Sequence, residues 1–224
     1  GGWGNYGISI SMPAAFIGSP NNVIANNMIA GIYADGYGPT GLNWVSGIFV
    51  QGSSSLTDNK LSIVHNSINL YGAYSGSSIY RGSSCGITLA SSISGGVTIQ
   101  GNLIQNIFKA ANNDTAQAIA ILTTSSNPGP FNINYNQYYV GGSAVTVRFG
   151  RFGNQGIATF SQWQGIAALG NPDANGMMHL PGPVPFVSNI DLHLVPSSTS
   201  SAINAGDAAL YNGTQDFDGE TRPL

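Results

Sequence analysis

An internal repeat constrains this chain more than any other feature of its sequence. Four segments share the order polar, aliphatic, two variable residues, Asn, one variable residue and a large apolar residue. They are 22–28 (NVIANNM), 62–68 (SIVHNSI), 98–104 (TIQGNLI) and 132–138 (NINYNQY). Their asparagines, Asn26, Asn66, Asn102 and Asn136, lie 40, 36 and 34 residues apart. A motif that returns at this spacing is typical of a solenoid.

A second motif alternates with the first along the chain. It consists of a small residue followed by a period-two alternation, at 7–10 (GISI), 47–50 (GIFV), 86–89 (GITL), 118–121 (AIAI) and 144–147 (AVTV). Short strands that recur in this way predict coils that each add the same strands to the same long sheets. The predicted fold class is therefore all-β, a right-handed parallel β-helix of about five coils, one for each copy of this motif.

The first motif predicts how each coil turns. In the coil that begins at Gly47, strands are expected at 47–50, 61–64 and 67–70, with Asn66 at the bend between the last two. Asn tolerates the left-handed backbone region, and side-chain amides stacked on successive coils can hydrogen-bond along the solenoid axis. We therefore predict a structural ladder of Asn26, Asn66, Asn102 and Asn136.

The pattern changes near residue 159, so we predict coils over 1–158 and a cap of the same domain over 159–224. Residues 159–170 begin with Thr159, carry apolar residues at helical spacing and end at Gly170, which predicts a short amphipathic helix. The Pro-rich stretch that follows predicts an irregular cap.

Charge composition excludes several function classes. Charged residues make up 7 % of the 224-residue chain, against about 25 % in an average soluble domain. Six cations and a net charge of −3 do not provide the basic surface that nucleic acid requires. The apolar runs are shorter than a membrane-spanning helix needs. Cys85 has no cysteine partner in the chain, so an internal disulfide is excluded and a buried thiol is expected.

Five short motifs of the carboxyl-terminal third carry a family resemblance. They are 160–164 (FSQWQ), 185–188 (PFVS), 191–194 (DLHL), 201–206 (SAINAG) and 216–223 (DFDGETRP). In this order they resemble the end of large right-handed β-helix proteins with a pectate-lyase-like solenoid, exported by bacteria of the Bacteroidetes type. The resemblance implies an extracellular or cell-surface location and a larger parent protein or assembly.

The same resemblance implies that an enzyme of this kind would work on the sheet built from the first strands. Alternation predicts that Ile8, Ile48, Ile87, Ile119 and Val145 point inward. The expected outward residues are then Ser9, Phe49, Thr88, Ala120 and Thr146. Proton abstraction beside a uronate needs a base and a cation or metal, and glycoside hydrolysis needs two carboxyl groups. The expected outward set supplies neither, which favours a non-catalytic function.

Aromatic residues in the predicted loops indicate a different activity. Tyr and Trp among Gly and Ser, with almost no charge, suit stacking and hydrogen bonding on neutral sugars. The candidate ligand-binding residues are Tyr33, Tyr37, Trp44, Tyr71, Tyr74 and Tyr80. The alternative is that these rings only pack their own loops against the solenoid.

The Asp216, Asp218 and Glu220 motif is open to two interpretations. Oxygen ligands spaced by two residues before a Gly turn can hold calcium, or Asp216 or Asp218 can pair with Arg222 in a turn. No other cofactor is predicted. The sequence thus favours a non-catalytic adhesive or carbohydrate-binding segment of an exported surface protein, with a polysaccharide or cell-surface glycan as its partner. A polysaccharide lyase or glycoside hydrolase fragment, and a structural component of a surface or secretion assembly, stay as alternatives.

Overall fold

The structure is a computed structural model. It consists mainly of short β-strands stacked in parallel. It describes residues 4–12, 22–33, 44–52, 61–74, 83–90, 93, 96–110, 117–125, 131–141, 146–179, 182–195, 200–202 and 218–219. Strands of the first half are β1 (Tyr6–Met12), β2 (Asn22–Ala25), β3 (Met28–Ala30), β4 (Val45–Gly52), β5 (Leu61–Val64), β6 (Ser67–Leu70), β7 (Ala73–Tyr74), β8 (Ser84–Leu89), β9 (Val97–Gln100) and β10 (Leu103–Asn106). They are followed by β11 (Lys109–Ala110), β12 (Gln117–Thr123), β13 (Asn132–Asn134), β14 (Gln137–Val140), β15 (Thr146–Phe152), β16 (Gln155–Ile157) and β17 (Met177–Met178).

Three sheets run along the molecule, and successive strands of one coil enter them in turn. The first sheet has the order β1-β4-β8-β12-β15-β16, the second β2-β5-β9-β13 and the third β3-β6-β10-β14-β17. The pairs within these sheets are parallel, except that β16 turns back antiparallel to β15. A small two-stranded sheet, β7-β11, joins two neighbouring coils. The predicted parallel β-solenoid is confirmed, with strands β4, β5 and β6 where the repeat predicts them.

Columns of aliphatic side chains fill the interior. Ile48 lies beside Ile87 in the first sheet, Ile63 beside Ile99 in the second and Ile68 beside Ile104 in the third. All six are fully buried. Burying one such side chain contributes about 1.5–3 kcal/mol, so the repeated Ile positions stabilise every coil in the same way.

The small residue of the second motif is required by the packing. A Cβ at Gly47 would lie 2.5 Å from Ile68 Cγ2 and 2.7 Å from the Gly86 carbonyl oxygen. The same position is Gly7 in the coil before and Gly86 in the coil after, each facing an Ile of the third sheet. The first strands therefore pass close to the third sheet, and a larger side chain has no room there.

The Asn ladder is present, but its first member is Asn27 and not the predicted Asn26. In the strand register Asn26 lies one residue before the ladder position, because Ile24 pairs with Ile63 and Met28 with Ser67. Asn27 Nδ2 donates to Asn66 Oδ1 at 2.8 Å, and Asn66, Asn102 and Asn136 follow.

The left-handed position is Asn26 in the first coil, as predicted, but in the later coils it falls one residue before the predicted Asn. Positive φ angles occur at Asn26 (59°), His65 (55°), Gly101 (64°) and Tyr135 (56°). Ladder asparagines come directly after these residues. The side-chain hydrogen bonds of the ladder hold this turn, so residues as different as His and Tyr occupy the left-handed position.

The carboxyl-terminal cap contains the predicted helix as two short pieces. Helix α1 (Phe160–Gln164) begins at Thr159, whose hydroxyl accepts from Gln162 N while the Gln162 side chain accepts from Thr159 N. A 3-10 turn (Ala167–Leu169) follows and ends at Gly170 in the left-handed conformation. This capping box explains why a helix forms at a sequence with few strong helix formers.

After helix α1 and the 3-10 turn, the chain returns along the outer face of the third sheet. Val184 N donates to Gln105 Oε1 at 2.7 Å, and Asn69 Nδ2 donates to the Asn189 carbonyl at 3.0 Å. Asn69 and Gln105 are themselves joined by a 2.9 Å hydrogen bond. The predicted irregular cap therefore also covers a side of the solenoid, where it is held by backbone groups on buried amide side chains.

Candidate functional site

Two of the predicted aromatic residues meet at one corner of the first two coils. Tyr33 follows β3, and Tyr71 follows β6 in the next coil. Their rings lie edge to face with centroids 6.2 Å apart. Tyr33 is 52 % exposed, and its carbonyl accepts a hydrogen bond from the Asn5 side-chain amide. The corner thus presents an aromatic face beside neutral polar groups.

The Tyr33 ring is held against backbone. It lies over Gly72, where a Cβ would stand 2.6 Å from Tyr33 Cε1. Gly72 also has a φ of 108°, which L side chains rarely adopt. The glycine therefore both permits the turn after β6 and provides the flat surface on which the ring rests.

Trp44 does not join this corner. Its side chain is only 2 % exposed and packs with Cys85, Ile119 and Leu122 on the outer side of the first sheet. The Arg151 guanidinium carbon lies 5.5 Å from the centre of its ring. A buried ring is not available for stacking on a sugar, so Trp44 is removed from the predicted binding set. Tyr74 lies in β7, where only its backbone is described, and Tyr37 and Tyr80 lie outside the described residues.

The outer face of the first sheet differs from the expected one. Ile121, and not Ile119, pairs with Ile87, so Leu122 is the neighbour of Thr88 and Arg151 the neighbour of Leu122. The predicted outward residue Ala120 is fully buried in the core. Thr146 pairs with Gln117 at the start of the strand, and the predicted inward residue Val145 lies outside the described residues.

This register places two arginines on that face. Arg148 continues the row of Cys85 and Ile119, and Arg151 lies one row further along the strand. Burial lowers the pKa of Arg151, and the charge of Arg148 lowers it further. Arg148 directly follows the predicted strand residues 144–147, but it lies inside a strand because β15 extends from Thr146 to Phe152.

A signal in the sequence could have found these arginines. Each outer pair of the first sheet is spaced by three residues, because the two residues between them face the core. These are a small residue and an Ile in the first three pairs, and Phe149 and Gly150 in the last. The pairs are Ser46 and Phe49, Cys85 and Thr88, Ile119 and Leu122, and Arg148 and Arg151. Simple alternation misses this spacing. Within the described part of this face there is no carboxylate.

Cys85 lies in the middle of this face and is fully buried, as expected for a structural thiol. Burial raises the pKa of its thiol to about 12. Its Sγ donates to the Ile87 carbonyl at 3.0 Å. A thiol that stays protonated at neutral pH is a poor nucleophile.

Two carboxylates meet around His193 in the returning segment. His193 Nδ1 lies 2.5 Å from Asp191 Oδ1, and Nε2 lies 2.6 Å from Asp218 Oδ2. Hydrogen bonding to Asp191 and then to Asp218 raises the pKa of His193, and the bond to His193 lowers the pKa of Asp191. The His193 side chain is 43 % exposed.

The calcium interpretation of the acidic motif stays a prediction. Asp218 pairs with His193, while Asp216, Glu220 and Arg222 lie outside the described residues. Among the residues that are described, no group of three or more His, Cys, Asp or Glu side chains could hold a metal ion.

A buried carboxylate that sequence reasoning missed closes the ladder. Asp173 is fully buried and accepts from Asn136 Nδ2 at 3.0 Å, Tyr138 OH at 2.6 Å and Trp163 Nε1 at 3.0 Å. Burial raises the pKa of this carboxyl, and these donors oppose the shift. The Asn repeat does not predict a role for Asp173, because this residue lies in the sequence after the last copy of the repeat.

A shallow groove of about 330 Å³ lies between the β15–β16 hairpin and α1. Phe152, Ile157 and Ile166 form its apolar wall, and Gln155 and Gln162 its polar one. Gln162 is committed to capping the helix, so Gln155 is the polar side chain that remains for a ligand.

Comparisons with known proteins return no relatives for this chain: no family model, no curated protein and no solved structure matches it. In the described part of the chain, no helix is long and apolar enough to cross a membrane.

Proposed function

We propose that this chain is a non-catalytic module of an exported cell-surface protein and binds neutral carbohydrate at the Tyr33–Tyr71 corner. The observation that carries the proposal is the 52 % exposure of Tyr33. Several other aromatic side chains of the described residues, among them Phe108, Tyr138 and Trp163, are buried. A solvent-exposed aromatic side chain in a protein whose other aromatic side chains are largely buried is a candidate contact for a ligand.

The geometry of the corner favours a sugar over other neutral ligands. An aromatic face can stack on the C–H face of a pyranose, and the ring edge and nearby amide groups can hydrogen-bond its hydroxyls. Contact with Tyr71 and with the Gly72 backbone restrains the Tyr33 ring before any ligand arrives. Restraint of this kind reduces the entropy lost on binding.

The exported setting is supported by the resemblance of residues 160–223 to exported solenoid proteins and by the low charge. Ser, Thr, Asn and Gly replace ionic groups over much of the chain, and 31 residues are glycine. The adhesive function follows from combining a glycan contact with a rigid stack of coils.

Binding to an array of neutral and acidic glycans tests this proposal. Tyr33→Ala should weaken binding of the best neutral glycan by about fivefold to tenfold, because a well-placed aromatic contact contributes about 1 kcal/mol or more. Tyr139→Ala is the matched control, since Tyr139 lies in β14, which is three strands from β3 in the third sheet. Equal loss in both variants, or no neutral glycan bound by the wild type, would overturn it.

Arg148 and Arg151 favour a polysaccharide lyase as the second candidate. Two guanidinium groups on one face could hold a uronate carboxylate. Assays for unsaturated and reducing products on acidic polysaccharides, with Arg151→Gln as the variant, separate the two candidates. If Arg151→Gln abolishes turnover and Tyr33→Ala leaves it unchanged, the lyase is the correct function and the non-catalytic binding module is not.

A further inference from the structure

The groove between the β15–β16 hairpin and α1 has walls that are fixed before any ligand arrives. On one side, β16 is held by its antiparallel pairing with β15. On the other side Trp163 anchors α1, because this fully buried ring packs over Gly150 and donates to Asp173. All residues that line the groove belong to the continuously described range 146–179. The groove is therefore shaped by the packed cap itself.

Gln162 presents a donor of fixed orientation at this groove. Capping of α1 uses only the carbonyl half of its side-chain amide, since Oε1 accepts from the backbone N–H groups of Ala158 and Thr159 at 3.0 and 3.2 Å. These two bonds set the plane of the amide. Its Nε2 carries two further N–H donors, and they have no acceptor among the described residues. A ligand in the groove can supply that acceptor.

Gln155 supplies a second amide. It is exposed in β16, opposite Phe152 of β15, and its side chain forms no hydrogen bond within the described part of the chain. A primary amide donates and accepts, as a ligand hydroxyl does. Phe152, Ile157 and Ile166 provide the apolar wall. The groove thus combines an apolar wall with two amides whose hydrogen-bonding groups are not fully used.

The surroundings of the groove disfavour charged and extended ligands. None of the residues that line it is charged. Arg148 packs against Gly156, where a Cβ would collide with the guanidinium, but Arg148 is not part of the lining. Strand β16 has only three residues and α1 packs against it, which leaves little edge for an added peptide strand. A neutral ring with an apolar face and several hydroxyls suits these walls better.

We propose that this groove binds a single neutral pyranose ring of a glycan. Its volume of about 330 Å³ lies at the lower end of the range of about 300–1,000 Å³ for small-molecule sites, so it holds one ring and not a chain. The C–H face of the ring packs on Phe152 and Ile166, while its hydroxyls bond to Gln155 and to Gln162 Nε2.

The groove is a different site from the Tyr33–Tyr71 corner. It lies at β15 and β16, four and five strands from β1 in the first sheet, whereas the corner follows β3 and β6 in the third. The two sites share no residue. One chain with both sites can hold two sugars at once, which strengthens attachment to a surface that carries many glycans.

Titration of the intact chain with methyl glycosides of glucose, galactose and mannose tests the proposal. Each probe is a single neutral ring, and backbone and side-chain amide chemical shifts show where it binds. We expect at least one probe to bind with millimolar affinity, as suits so small a ligand. It should shift the amides of Gln155 and Gly156 and the side-chain amide of Gln162.

Variants with matched controls test the two amides. Gln162→Glu keeps an oxygen for the helix cap and removes the Nε2 donors, so binding should weaken by about fivefold. Ser161→Glu adds the same charge at the neighbouring exposed residue, which does not line the groove, and should not weaken it. Gln155→Ala should weaken binding by about threefold, and Asn154→Ala in the same hairpin should leave it unchanged.

Several results would overturn the proposal. They are the absence of groove shifts with all three probes, or equal loss in the control and groove variants. Tighter binding of the methyl glycoside of glucuronic acid, or of N-acetylalanine methylamide, would assign the groove to an acidic sugar or to a peptide instead. Tyr33→Ala separates the two sites: groove shifts should persist in it, and their disappearance would contradict a separate site. Groove shifts without any shift at Tyr33 or Tyr71 would reject the corner and keep the groove.

Discussion

The two ends of the Asn ladder differ in the residues that they contact. At the carboxyl-terminal end a buried carboxylate receives the ladder, and Tyr138, Phe149, Phe160 and Trp163 pack around it with ring centroids 4.8–6.1 Å apart. At the amino-terminal end the ladder begins with the neutral amide of Asn27 over a partly exposed core. A ladder of identical amides leaves donors at one end and an acceptor at the other, so the two ends need hydrogen-bond partners of opposite kind.

The largest effect is expected at the closed end. Asp173→Ala should lower the free energy of unfolding by about 3–5 kcal/mol, because Asn136, Tyr138 and Trp163 all lose a buried acceptor. Urea denaturation followed by tryptophan fluorescence measures it. Asp191→Ala removes an exposed carboxylate and should change stability little. A loss in Asp191→Ala as large as in Asp173→Ala would contradict our account of the closed end.

A smaller effect should separate the interior of the ladder from its first member, Asn27. The Asn102 side chain makes five hydrogen bonds, two as acceptor and three as donor to Ile63, Gln100 and Asn136. Asn102→Ala should cost about 2–4 kcal/mol, and Asn27→Ala about 1 kcal/mol because no described residue donates to its side-chain oxygen. Equal losses in chemical denaturation would mean that another group already donates to Asn27 Oδ1.

A local effect is expected at the corner formed by Tyr33 and Tyr71. Gly72→Ala should cost about 1–2 kcal/mol, since it strains a φ of 108° and displaces the Tyr33 ring. Gly182→Ala is the control, because a Cβ there meets nothing within 4 Å. Thermal unfolding measures both variants. Glycan binding should fall in the Gly72 variant alone, and an unchanged affinity would place the binding site elsewhere.

The smallest effect is a pH dependence in the returning segment. The raised pKa of His193 contributes stability that is fully present below the usual imidazole pKa of about 6.5 and is lost as pH rises through the raised value. The lowered pKa of Asp191 contributes stability that is present above the usual carboxyl pKa of about 3.9 and is lost as pH falls through the lowered value.

Melting temperatures of the wild type and of His193→Gln test this expectation. The difference between them should be largest between about pH 4 and pH 6.5 and should shrink on both sides. It should be small throughout, because the His193 and Asp218 side chains are 43 % and 45 % exposed. A difference that grows with pH above 6.5 would have the wrong sign.

Most of the fold could be predicted from repetition. The strands near Gly47, Leu61 and Ser67 and the ladder residues Asn66, Asn102 and Asn136 were found because each coil must satisfy the same packing and hydrogen bonds. The errors arose where the pattern is degenerate. Two adjacent asparagines, 26 and 27, fit the same motif, and the alternation of residues 118–121 matches itself after a shift of two residues.

The candidate site was only partly predictable. Exposed loops with tyrosine identified Tyr33 and Tyr71, which the structure brings together. Trp44 has the same composition around it, but it is covered on the outer face of the first sheet. A sequence pattern predicts which face of a strand a side chain lies on. It does not predict which other segment of the chain packs over that face.

The sequence by itself determined the repeating coil, its aliphatic interior and its amide ladder, because these follow from local alternation and from spacing. Tertiary structure decided how the coils end: where Asp173 meets the last amide, where Arg148 and Arg151 meet on one face, and which segment covers Asn69 and Gln105. The physical reason is that a repeat specifies contacts between equivalent residues. A closing group such as Asp173 has no equivalent in the other coils, so only the folded chain shows which repeat residue it contacts.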